Sequence, residues 1–149
     1  MCGRARPPAA EEVVSLFVDT SAWYAAADRD DRGHQRAKAI LTSNELLVTT
    51  DHILIECWML IRHRIGRSEA IVFWSRLPHV AHIETVLAAD LQNALEIVEE
   101  WSDQDFSIVD CTSFAVMQRL GLRRAASFDS DFSIFRFGPD RRRAFEVVR

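Results

Sequence analysis

Lysine is nearly absent from this 149-residue sequence: its 18 basic residues are 17 arginines and Lys38. Arginine's planar fork suits phosphate, so the bias points toward an anionic partner, although genome composition produces the same skew. The net charge of −4 argues against a uniformly basic nucleic-acid surface. Long apolar runs are missing too. No stretch approaches the roughly 18 consecutive apolar residues that cross a bilayer, so no membrane partner is expected, and "MCGRARPPAAEE" lacks the apolar centre of a secretion signal. Residues 1–12 are expected to be a flexible extension, followed by one domain over 13–149. Cysteine is scarce and odd in number; Cys2, Cys57 and Cys111 form no close pair. That excludes a disulfide framework and favours a reducing, cytoplasmic setting. His34, His52, His63, His79 and His82 share no zinc-ligand spacing with them. No G-x-S-x-G occurs, so a serine hydrolase has no support. Repeats and low-complexity linkers are absent.

What is present is an ordinary globular composition. At 48% hydrophobic the chain can bury one proper core. "VVSLFVD" reads as a buried strand, followed by a short helix in "TSAWYAAADRDD" that Thr20 or Ser21 can cap. "HQRAKAILTS" reads as a second helix, "ELLVTT" as a strand, and "DHILIECWMLIRHR" as a long helix capped by Thr49 or Thr50 and ended by Gly66. "RSEAIVFWSRL" reads as a further helix, and "HVAHIETV" alternates as a half-buried strand. "AADLQNALEIVEEW" places apolar residues at 91, 95, 98 and 101, a helical period. In "SDQDFSIVDCTSFAVMQRLGL", Ser107 and Asp110 form a capping box and Gly121 stands at a left-handed C-terminus. "RRAASFD" and an edge strand in "AFEVVR" complete the series. Strands separated by helices predict an α/β domain with a central, mainly parallel sheet.

Ligands of such sheets collect at the carboxyl ends of the strands. Asp19 directly follows "LFV", and Asp129 directly follows "AASF". Asp110 lies in the first turn of a helix at that same edge. Glu56 lies one turn deeper in its helix, inside the otherwise apolar run "ILIECWML". Taken singly, each has a plain reading: a turn former, half of a capping box, or a carboxylate reaching solvent from a core helix. Taken together, four carboxylates from four separate segments aim at one place. Four such acids stay ionised only around a cation. Oxygen ligands without histidine or thiolate suit Mg²⁺ or Mn²⁺, ions that activate water against a phosphodiester.

With those residues placed, the chain resembles the PIN-domain ribonucleases, and within them the VapC-type toxins of bacterial toxin–antitoxin pairs. "LFVDTSAWYA", "LLVTTDHILIECW", "DFSIVDCTSFAVMQRLGL" and "AASFDSDF" carry the resemblance, which covers about Leu16 to Phe137. It implies a catalytic and metal-holding quartet at Asp19, Glu56, Asp110 and Asp129. It also implies a Mg²⁺- or Mn²⁺-dependent endoribonuclease acting on structured tRNA or rRNA, usually a homodimer, silenced by a cognate VapB-type antitoxin. Asp131 is a possible auxiliary acid, and Asp105 is unassigned between metal and structure. Thr20, Ser21 and Thr112 are hydroxyl neighbours for water or phosphate, each equally readable as a cap or a helix-surface residue.

RNA entering an acidic pocket needs basic residues at the rim. Arg62, Arg64 and Arg67 form one candidate RNA-binding patch, and Arg123 with Arg124 another. Arg141, Arg142 and Arg143 read first as a tail neutralising nearby acids. An antitoxin arginine could enter among the carboxylates, with Trp23, Tyr24 and Trp58 as candidates to receive the rest of its peptide. A haloacid-dehalogenase-like phosphatase would need D-x-D after the first strand, which "VDTS" lacks. The alternatives are a structure-specific DNA nuclease and a catalytically silent RNA- or protein-binding module; the four acids argue against the latter.

Overall fold

Leu16, Phe17 and Val18 are bulky, apolar and consecutive, so the strand they dominate, β1 (Ser15–Val18), can only be buried on both faces. It becomes the middle of a five-stranded sheet with β2 (Leu46–Thr50), β3 (His82–Glu84), β4 (Arg124–Ala126) and β5 (Glu146–Val148). The order is β3-β2-β1-β4-β5 and every pairing is parallel. The expected mainly parallel sheet is therefore wholly parallel, and all strand carboxyl ends share one edge. The computed structural model describes residues 14–149, so the expected extension over 1–12 lies outside the described residues.

Seven helices flank the sheet among the described residues: α1 (Thr20–Ala27), α2 (His34–Leu41), α3 (Asp51–Arg64), α4 (Arg67–Val80), α5 (Ala88–Glu100), α6 (Ile108–Leu120) and α7 (Asp131–Ile134). None is long and apolar enough to cross a membrane. Thr50, not Thr49, caps α3 by accepting from the Ile53 amide at 3.1 Å. The capping box of Ser107 and Asp110 forms in both directions, and Gly121 ends α6 at φ +69°. At that angle a Cβ would be strained although nothing crowds it.

Two expectations change. Neither Thr20 nor Ser21 caps α1; Asp19 occupies that position, and its side chain turns elsewhere. α4 runs through Pro78 to Val80, so "HVAHIETV" yields only the short strand β3. A proline in a last turn removes one hydrogen bond without ending the helix; the Ala81 amide still reaches the Leu77 carbonyl. The apolar period of α5 is real but points outward. Leu91, Leu95 and Val98 are 46, 48 and 41% exposed, while Asp90, Ala94 and Ile97 pack inward, toward α6.

Asp90 is wholly buried because it is matched. Its carboxylate accepts from the Leu87 amide at 2.8 Å and from Nε and Nη2 of Arg119, whose Nη1 reaches Glu84 at 3.0 Å. Burial pushes the Asp90 carboxyl up, but the Arg119 and Leu87 hydrogen bonds outweigh it, and the group titrates below its ordinary range. The folded-state value is thus lower than the unfolded one. The stabilisation is complete above the ordinary carboxylate range and is lost as pH falls through the lowered value. Arg119→Ala should cost about 3 kcal/mol at neutral pH by stranding a buried charge. Melting curves across an acid series should show the variant and wild type converging as Asp90 is protonated.

Candidate active site

β1 delivers Asp19 to the sheet edge, where its amide donates to the Ala126 carbonyl of the neighbouring β4 at 3.0 Å. The side chain is 3% exposed, and its Oδ2 accepts from the hydroxyls of Ser21 and Ser127, each at 2.9 Å. Burial raises the Asp19 carboxyl, and those two hydroxyls offset the rise only in part. Ser127 Oγ accepts from the Asp129 amide at 3.2 Å, and Ser21 Oγ from the Phe128 amide at 2.9 Å. The ends of β1 and β4 are thereby tied into one polar unit.

This unit forms the floor of an open cavity of about 500 Å³. Seven carboxylates line it: Asp19, Asp31, Glu56, Asp105, Asp110, Asp129 and Asp131. Glu56 comes from α3, where Ile53, Leu54, Cys57 and Ile61 face the core and leave Glu56, Leu60 and Arg64 on the cavity side. The charge in the apolar run therefore lies at a polar opening. Asp110 lines the cavity while one of its oxygens accepts from the Ser107 amide at 3.0 Å; cap and site are the same residue.

Burial and the Asp19 charge push Asp110 up to about 6. Burial and the neighbouring carboxyls of Asp110 and Asp129 push Asp131 up to about 7. Like charges crowded around the buried Asp19 and Asp110 favour uptake of a positive charge. The donor set suits a hard cation. It is all oxygen, and the Thr20 hydroxyl on the same wall is buried without a hydrogen-bond partner among the described residues. No three of the carboxylates close to the spacing of a single coordination sphere among the described residues.

The cavity collects Asp19, Glu56, Asp110, Asp129, the auxiliary Asp131 and Asp105, and the neighbours Thr20 and Ser21. Thr112 is excluded: it is fully buried on the inner face of α6, and its hydroxyl donates to the Val109 carbonyl at 3.0 Å. Of the basic candidates only Arg64 lines the cavity. Arg62 lies over Trp58, 5.8 Å from the ring centroid, and Trp58 lines a separate apolar groove with Ile55, Met59, Ile71 and Trp74. Arg67 lines neither. Arg123 and Arg124 fail as a rim patch because they stand at the start of β4, the opposite edge of the sheet. Arg124 is moreover held by Glu45 at 2.6 Å and Glu146 at 3.4 Å. Arg141 pairs with Glu100 at 2.8 Å. Trp23 is core, its indole donating to Thr49 Oγ1 at 3.2 Å. Sequence reasoning missed Ser127 and Asp31. Ser127 immediately follows β4, the same strand-end position that marks Asp19 after β1.

The PIN-domain family profile matches residues 16–138. Over 120 residues the chain is 38% identical to the 23S rRNA-specific endonuclease VapC20 of Mycobacterium tuberculosis, covering 79% of this chain and 92% of that protein. The crystal structure of that protein, described as a sarcin-ricin loop cleaving toxin, aligns with a TM-score of 0.75 at 36% identity, over the same 79% and 92%. VapBC2 of Rickettsia felis, bound to a promoter DNA fragment, aligns at 0.61 with 9% identity, covering 78% of this chain and 89% of that one. FitAcB of Neisseria gonorrhoeae aligns at 0.55 with 12% identity, covering 78% and 88%; these two share the fold. The chain belongs to the PIN-domain family.

Proposed function

We propose that the chain is a divalent-metal-dependent endoribonuclease toxin of the VapC type, cutting structured RNA. The observation that supports this most is the cavity at the strand ends, where seven carboxylates meet a threonine hydroxyl that has no partner among the described residues. Asp19, Asp110 and Asp129 would hold Mg²⁺ or Mn²⁺, with Glu56 beside them, and the ion would supply positive charge to a phosphodiester and acidity to a water. Glu56 orients the attacking water and takes its proton. Ser21 and Ser127 fix the Asp19 carboxylate, and the Ser107 cap fixes Asp110, so that both are preorganised. Attack by water on phosphorus breaks the bond to the 3′ oxygen, leaving a 5′ phosphate and a 3′ hydroxyl.

The relative is named for 23S rRNA, so ribosomal RNA is the substrate to offer first, and transfer RNA the second. A VapB-type antitoxin would silence the enzyme by placing an arginine among the carboxylates. The groove lined by Trp58 and Trp74 offers apolar surface for the rest of its peptide. The active species is a cytoplasmic homodimer.

The test is incubation of antitoxin-free protein with ribosomal RNA, transfer RNA and single-stranded DNA, in Mg²⁺, Mn²⁺ or EDTA, with both ends of each product mapped. Discrete, metal-dependent cuts in RNA bearing 5′ phosphates are expected. A 2′,3′-cyclic phosphate would contradict water attack, because it requires the ribose hydroxyl as nucleophile. Cuts confined to DNA would reassign the substrate.

A further inference from the structure

An RNA strand that enters this cavity brings phosphates toward seven carboxylates, and at short range that repulsion is strong. Arg64 is the one basic side chain on the cavity wall among the described residues. Among the described residues no carboxylate lies within ion-pair distance of its guanidinium, whereas Arg119, Arg124 and Arg141 are all paired.

The guanidinium is instead laid over the ring of Tyr24, 5.3 Å from its centroid. That ring is itself fixed. Tyr24 is buried in α1, and its hydroxyl donates to Asp28 Oδ2 at 2.7 Å. A cation stacked on an aromatic face keeps its charge and its outward N–H groups free for an anion. Glu56, Leu60 and Arg64 are spaced four apart, so they share one face of α3. Arg64 follows Glu56 by about 12 Å along the helix axis, and helical side chains lean back toward the N-terminus. The guanidinium therefore leans back along α3 toward the Glu56 side of the cavity wall.

We propose that Arg64, stacked on Tyr24, grips the RNA phosphate flanking the scissile one and so sets the strand across the carboxylates. This rests on the ribonuclease reading. It assigns Arg64 to substrate binding, with no proton transfer and no part in holding the ion.

The test compares wild type with Arg64→Ala, Arg64→Lys and Arg62→Ala, using cleavage of ribosomal RNA over a salt series together with Mn²⁺ affinity. Arg64→Ala should raise KM about tenfold, as expected for one lost charge-assisted contact, and hold kcat within about twofold. The slope of log kcat/KM against log salt should become shallower by about 0.7 to 0.9, the release attached to one phosphate contact. Arg64→Lys should recover the slope and only part of KM, because charge returns without the planar fork. Arg62→Ala, beside the apolar groove, should match wild type, and Mn²⁺ affinity should be the same in all four proteins. A wild-type salt slope in Arg64→Ala overturns the proposal, as does a loss confined to kcat or an equal change in Arg62→Ala. Those results leave the ribonuclease reading standing. Wild-type protein that cuts no RNA overturns both.

Discussion

Asp19→Asn should lower RNA cleavage about a thousandfold or more and raise the melting temperature measured in EDTA. The first effect follows from removing charge at the residue that anchors the acidic floor while keeping its shape; losses of this order accompany deletion of a group that stabilises developing charge. The second follows from burial. Asp19 is 3% exposed and its carboxyl is raised, so ionising it costs more in the folded protein than in the unfolded chain. A raised folded-state value means that stability is lost as pH climbs through it, and an uncharged isostere removes that loss. Asp110→Asn should behave alike. Its carboxyl is pushed up to about 6, which corresponds to a stabilisation on the order of 2 kcal/mol at neutral pH, or about 5 °C. The cap survives, because the asparagine oxygen can still accept from Ser107. Saturating Mg²⁺ should shrink both differences, since binding to the wild-type site alone stabilises it. Calorimetry with and without Mg²⁺, paired with cleavage rates, reads both effects. An asparagine variant that melts well below wild type in EDTA would mean that these acids serve the fold.

Phe114→Ala should produce the largest loss of stability, about 4 kcal/mol. Phe114 is fully buried in α6 and stacks on Phe135 with ring centroids 4.2 Å apart and planes within 5°. Phe132 meets it edge-on at 4.9 Å, Phe106 edge-on at 5.4 Å, and Phe145 lies 6.1 Å away. The rings come from α6, the loop before it, α7 and the approach to β5. Removing the central one opens a cavity that rigid aromatic neighbours cannot refill. Denaturant unfolding should show the midpoint falling with little change of slope. Phe114→Leu should recover about half of the loss. Because α6 and α7 carry Asp110 and Asp131, cleavage by Phe114→Ala should become heat-labile before it is lost at low temperature.

The acidic site was legible because its address is topological. A parallel sheet puts every strand's carboxyl end on one edge, so an acid after β1 and an acid opening a helix at that edge converge without any knowledge of side-chain packing. Glu56 was legible for a different reason: an ionised group in an apolar run needs an opening, and the helical period supplies one at Glu56, Leu60 and Arg64. What sequence could not supply was the facing of elements. The stripe at Leu91, Leu95 and Val98 has the right period, yet α5 turns its small Ala94 and its arginine-matched Asp90 inward, and periodicity does not say which face meets the core. Arg123 and Arg124 failed because adjacency to the strand that leads to Asp129 places them at its beginning, a full strand away from the site. Thr112 failed because a hydroxyl on a buried helix face satisfies itself on its own backbone. Arg64 and Tyr24 lie forty residues apart, and their stacking exists only through the packing of α1 against α3.

The central claim is that the carboxylates at the strand ends form a divalent-cation site. Its most direct test is Mn²⁺ titration followed by electron paramagnetic resonance, on wild type, Asp19→Asn and Arg123→Ala, the last lying at the opposite sheet edge. Saturable binding by wild type and Arg123→Ala, weakened about tenfold or more in Asp19→Asn, is the predicted result. Equal binding by all three proteins, or none by folded wild type, would contradict the account.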